Sequence, residues 1–93
     1  QTCALPILEH ELALIKVRAS KRNRPEIVSV AEMHRGRVVD LGDDAVVVEA
    51  VGEPGEVDRL VGLLREFGIK ELVRTGSVVM SRGSGSIEEQ VKR

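Results

Sequence analysis

Val38-Val39-Asp40-Leu41-Gly42-Asp43-Asp44-Ala45-Val46-Val47-Val48-Glu49-Ala50-Val51 joins two β-branched runs through a short polar break. The valines suit a pleated surface, and Gly42-Asp43-Asp44 has the residues that tolerate positive φ, so the stretch predicts an antiparallel hairpin. Upstream, Pro25 suits the first position of a helix, and Ile27, Val30, Ala31 and His34 recur on one helical face, with Gly36 as the expected stop. The polar turn Lys21-Arg22-Asn23-Arg24 separates that helix from residues 11–19, where an apolar start passes into alternation at Lys16-Val17-Arg18, as in a strand. Downstream, Val57, Leu60, Val61 and Leu64 repeat at helical spacing, Glu56 and Asp58 lie near the positive end of the helix dipole, and Gly68 closes the element. Residues 69–80 return to strand character, interrupted at Thr75-Gly76-Ser77, where glycine marks a bulge or bend.

Strand, helix, strand, strand, helix, strand is the order of an α+β, ferredoxin-like βαββαβ sandwich: one antiparallel sheet with two helices on one face. The second face then has no covering layer. Strands as Val-rich as Val46-Val47-Val48 would leave it apolar, which predicts another copy of the domain or a different subunit against it.

Ninety-three residues with 42% hydrophobic content make one domain, and with one Phe, no Tyr and no Trp its core must be aliphatic. The same lack of aromatics argues against single-stranded RNA stacked on the sheet. A net charge of -1 provides no field for polyanions or an anionic membrane. No apolar run approaches the ~20 residues of a membrane span, and the lone Cys3 cannot form an internal disulfide or a thiolate zinc cluster; a soluble, cytoplasmic chain is expected. Residues 1–8 are read as a non-native leader, because Gln1-Thr2-Cys3-Ala4-Leu5-Pro6-Ile7 lacks periodicity and resembles a translated sequencing adapter. On that reading residues 9–83 form the domain, a C-terminal piece of a longer protein, and the Ser/Gly-rich start and charged end of 84–93 make a flexible tail.

Candidate chemistry is sparse. His34 falls on the inward stripe of its helix without convergent metal ligands, and Asp43-Asp44 is turn chemistry rather than a carboxylate pair. Lys16, Arg18, Lys21, Arg22 and Arg24 are read as a solvated basic segment. No phosphate-cradling glycine loop or Ser/His/Asp set is present, so no catalytic, cofactor-binding or metal-binding residue is assigned. Arg74-Thr75-Gly76 and Ser81-Arg82-Gly83 place arginines beside small residues that permit close approach, in strand-end turns or at a subunit contact.

Four blocks carry a family resemblance: Glu11-Leu12-Ala13-Leu14-Ile15-Lys16-Val17, His34-Arg35-Gly36-Arg37-Val38-Val39-Asp40, Phe67-Gly68-Ile69-Lys70-Glu71-Leu72-Val73-Arg74-Thr75-Gly76 and Met80-Ser81-Arg82-Gly83. Together they resemble the C-terminal, ACT-like domain of the acetolactate synthase small subunit. The resemblance implies a non-catalytic regulatory subunit that binds and modulates the large catalytic subunit in valine, leucine and isoleucine biosynthesis. Thiamine diphosphate, magnesium and FAD are then expected on that catalytic partner and none in this chain. Valine is expected to act through an N-terminal ACT domain that this sequence lacks, so no valine-contacting residue is carried over. His34 departs from the family, where an aromatic residue is usual before Arg35. Arg35, Arg74 and Arg82, with Gly76 and Gly83 allowing close approach, are the candidate interface residues for that catalytic subunit, facing its Asp or Glu, and the uncovered sheet face adds the expectation of a homodimer. Two other readings stay open: a free-standing ACT-like homodimer that binds an amino acid, and an acylphosphatase-like enzyme using Arg18 or Arg24 with Asn23.

Overall fold

The computed structural model describes residues 7–83. Its elements are β1 (Ile7–Arg18), α1 (Arg24–Met33), β2 (Gly36–Leu41), β3 (Ala45–Gly52), α2 (Pro54–Leu64), β4 (Ile69–Arg74) and β5 (Val78–Ser81), with a 3-10 turn at Arg65–Phe67 after α2. The sheet runs β2-β3-β1-β4, and β5 pairs with β1 beyond the end of β4; every pairing is antiparallel. This is the expected α+β, ferredoxin-like arrangement, extended by a two-stranded ribbon. The tail expected over 84–93 and most of the leader expected over 1–8 lie outside the described residues.

Strand periodicity separates the two faces. Ala13, Ile15 and Val17 of β1 are fully buried while Leu14 between them is 39% exposed, and Val46, Val48 and Ala50 of β3 share the buried side. Ile27 and Ala31 of α1 and Val57, Leu60, Val61 and Leu64 of α2 pack onto that side and complete an all-aliphatic core. Each fully buried Val, Leu or Ile contributes about 1.5–3 kcal/mol, so the helix face is where the stability resides.

Three local expectations are corrected. The turn at 42–44 uses no positive φ; among the described residues the positive-φ positions are Arg35, Gly68, Gly76 and Gly83. Gly42 N–H donates to the Ala45 carbonyl at 2.8 Å to close the hairpin, and the Arg24 guanidinium donates to the Gly42 carbonyl at 2.8 Å. At the end of α1 the chain turns at Arg35, with φ 64°, rather than at Gly36. Gly36 is needed for contact instead: a Cβ there would lie 2.9 Å from Leu60 Cδ2 and 3.0 Å from Val48 Cγ1. Finally, β1 begins at Ile7 rather than near residue 11, because Ile7 and Leu8 pair with Ser81 and Met80, far away in sequence.

Candidate docking surfaces

The face of the sheet away from the helices carries the even-numbered residues of β1. Leu14 lies between Glu49 of β3 and Val73 of β4, Lys16 between Val47 and Glu71, and Leu12 beside Val51. Val51 and Val73 are 47% and 54% exposed, and Leu14, Val47 and Val73 line a shallow hollow of about 170 Å³. The charges on this face neutralise one another in place: Lys16 Nζ is 3.1 Å from Glu71 Oε1, and Arg37 Nε is 3.0 Å from Glu49 Oε1. An uncovered aliphatic centre between internally paired ions favours a flat, low-charge partner. The same side of β1 continues into the ribbon, where Leu8 pairs with Met80 and His10 with Val78, leaving Val78 and Met80 largely exposed. A ribbon of two strands is marginal without further cover.

At the base of the ribbon sits a charged cluster that local sequence patterns do not display. Glu11 is on the buried phase of β1 and is only 6% exposed. Its carboxylate accepts two hydrogen bonds from Arg74, Nη2 to Oε1 at 2.6 Å and Nε to Oε2 at 3.0 Å, and a third from Gly76 N–H at 3.2 Å. Arg74 Nη1 also lies 2.7 Å from Asp58 Oδ1 on α2. Thr75 N–H donates to the Leu12 carbonyl at 3.0 Å, while its hydroxyl accepts Leu12 N–H at 3.1 Å. With Gly76 at φ 80°, these contacts fix the bend that returns β5 to β1. The one sequence signal for the cluster is Glu11 itself, an acid in phase with Ala13, Ile15 and Val17.

The Arg74 hydrogen bonds hold the Glu11 carboxyl below the ordinary range, outweighing burial, which acts in the opposite direction. Hydrogen bonding to Glu11 and then to Asp58 raises the Arg74 guanidinium further. A carboxyl depressed in the folded state stabilises the fold above its unfolded pKa, and that contribution disappears as pH falls through the folded value. Urea midpoints measured from pH 7 down to pH 3 should therefore fall more steeply for the native chain than for Glu11→Gln, which is less stable at pH 7. Parallel curves would contradict the role given to Glu11.

The candidate interface residues fall in three places. Arg74 and Gly76 belong to the Glu11 cluster and are engaged within the chain. Arg82 donates from Nε to the Ile7 carbonyl at 2.8 Å, and Gly83 follows it with φ 71°, both at the end of the ribbon. Arg35 instead lines a cleft beside α2, together with half-buried His34. Of the three residues considered for acyl-phosphate chemistry, Arg18, Arg24 and Asn23, two have local duties: Asn23 Oδ1 accepts Ser20 N–H at 2.7 Å, and Arg24 holds the hairpin turn. Asp44 pairs with Lys70 at 3.3 Å, and among the described residues no group of three or more His, Cys, Asp or Glu is placed to hold a metal ion.

Residues 10–83 match the family described as the small subunit of acetolactate synthase. The chain is 42% identical over 87 residues to the acetolactate synthase small subunit of Aquifex aeolicus, covering 92% of this chain and 45% of that protein. It is 42% identical over 78 residues to the acetolactate synthase small subunit of Bacillus subtilis, covering 84% of this chain and 45% of that one. The crystal structure of the acetolactate synthase small subunit from Thermotoga maritima superposes with a TM-score of 0.79 at 30% identity, covering 91% of this chain and 52% of that one. The chain thus spans about half the length of the relatives it matches.

Proposed function

Because the chain belongs to the acetolactate synthase small-subunit family, as its C-terminal domain, we propose that it is a non-catalytic docking and regulatory module of that synthase. In this reading it binds the large catalytic subunit, which holds thiamine diphosphate, magnesium and FAD, and modulates the first common step of valine, leucine and isoleucine synthesis. The observation that supports a domain working within an assembly is the open aliphatic face around Leu14, Val51 and Val73. Its ions are already paired within one chain, so a second copy turned to meet it brings apolar surface against apolar surface without stranding a charge. We assign this face to a homodimer.

Regulation then follows from linkage. A subunit that binds two conformations of a catalytic partner with different affinity shifts the population between them, and valine, bound at an N-terminal ACT domain in the full-length subunit, changes that difference. Residues 9–83 act as the domain proper, in the cytoplasm; among the described residues no helix is long and apolar enough to cross a membrane.

Reconstitution tests the reading. The purified protein, mixed with the purified large subunit, is expected to associate with it and change its rate of acetolactate formation. Absence of both effects, with the large subunit itself active, would contradict the proposal.

A further inference from the structure

A cleft of about 300 Å³ lies between the end of α1, the end of β3 and the first turns of α2, with Met33, His34, Arg35, Val51, Glu56 and Arg59 among its lining residues. Its lining carries two arginines, Arg35 and Arg59, against one carboxylate, Glu56, so cations are in excess. Arg35 and Arg59 form no ion pair among the described residues, in contrast to Lys16, Arg37, Lys70 and Arg74. The cleft's acid, Glu56, is turned back onto the start of its helix, where its carboxylate accepts the Glu53 N–H at 3.1 Å. Beside these cations Met33 is 76% exposed and Val51 47% exposed. A flexible thioether and an aliphatic side chain form an adaptable apolar wall.

We propose that this cleft receives a segment of the catalytic subunit carrying a carboxylate next to an aliphatic side chain. The carboxylate meets Arg35 and Arg59, where charge-assisted hydrogen bonds orient it, and the aliphatic group packs on Met33 and Val51. The cleft is open to solvent, so a small molecule held there would stay partly in water. A protein segment brings its own cover. Val51 belongs both to the cleft and to the open sheet face, so a subunit seated here lies next to the homodimer contact. The inference rests on the reading that the chain docks onto the catalytic subunit.

The test uses the protein and the purified catalytic subunit, with affinity measured at several salt concentrations. Arg59→Glu combined with Arg35→Asn, which tolerates the left-handed backbone, is expected to weaken binding by about tenfold or more and to flatten its salt dependence. Arg22→Glu combined with Arg65→Glu alters charge outside the cleft and should bind as the native chain does. Unchanged circular dichroism and melting of both variants separate a binding defect from misfolding. Native affinity and salt dependence in the cleft variant would overturn the inference while leaving the functional reading intact. Failure of the native chain to bind the catalytic subunit would overturn the functional reading, and the inference with it. Saturable shifts of the Arg35 and Arg59 resonances on titration with inorganic phosphate, with partner binding unaffected by the cleft variant, would reassign the cleft to a small anion.

Discussion

Replacing Leu14 and Val73 together by Asp is expected to leave the chain folded and to abolish its self-association. The two side chains face one another across β1 and β4, and both are already partly exposed, at 39% and 54%, so the helix-side core is untouched. In a two-fold contact each substitution appears twice, and four carboxylates would be driven into one apolar interface. Like charges brought together at an interface cost several kcal/mol, which corresponds to roughly 100-fold weaker association or more. Sedimentation velocity reads the loss of dimer, and melting reads the retained fold. A variant that dimerises as the native chain does would place the contact elsewhere.

Leu60→Ala is expected to produce the largest loss of stability. Leu60 is fully buried on α2 and lies against Gly36, at the start of β2, whose missing side chain makes room for it. Truncating a buried Leu costs about 2–5 kcal/mol, more where the surroundings cannot collapse into the space. A small domain has only about 5–15 kcal/mol in total. At about 4–8 °C per kcal/mol for a domain of this size, the melting temperature should drop by roughly 10–30 °C. Urea denaturation with an unchanged slope and a lower midpoint checks the assignment; a change below about 1 kcal/mol would mean that α2 does not pack as described.

The elements whose stability comes from one repeating apolar face are legible in the sequence. Val57, Leu60, Val61 and Leu64, read as one helical stripe, are all buried, and the two valine runs pair as the expected hairpin. What escaped local pattern was set by distant partners. Ile7 and Leu8 become strand only because Ser81 and Met80 lie beside them. Arg74, open from its sequence to a strand-end turn or a subunit contact, pairs with Glu11, 63 residues earlier, and no local spacing announces such a pair. Gly36 looks locally like a helix stop, as glycine commonly is; its role here is contact with Leu60 and Val48, which sequence separation conceals. Of the five candidate interface residues, Arg35 lines a defined cleft, and Arg82 is exposed at the end of the ribbon.

The central claim is that the bare sheet face exists to be covered by another polypeptide. Sedimentation equilibrium of the protein, alone and with the large synthase subunit, tests it most directly. Alone, the protein should show twice the mass of one chain, and the large subunit should draw it into a heavier complex. A single-chain mass across the whole concentration range, unchanged when the large subunit is added, would contradict it.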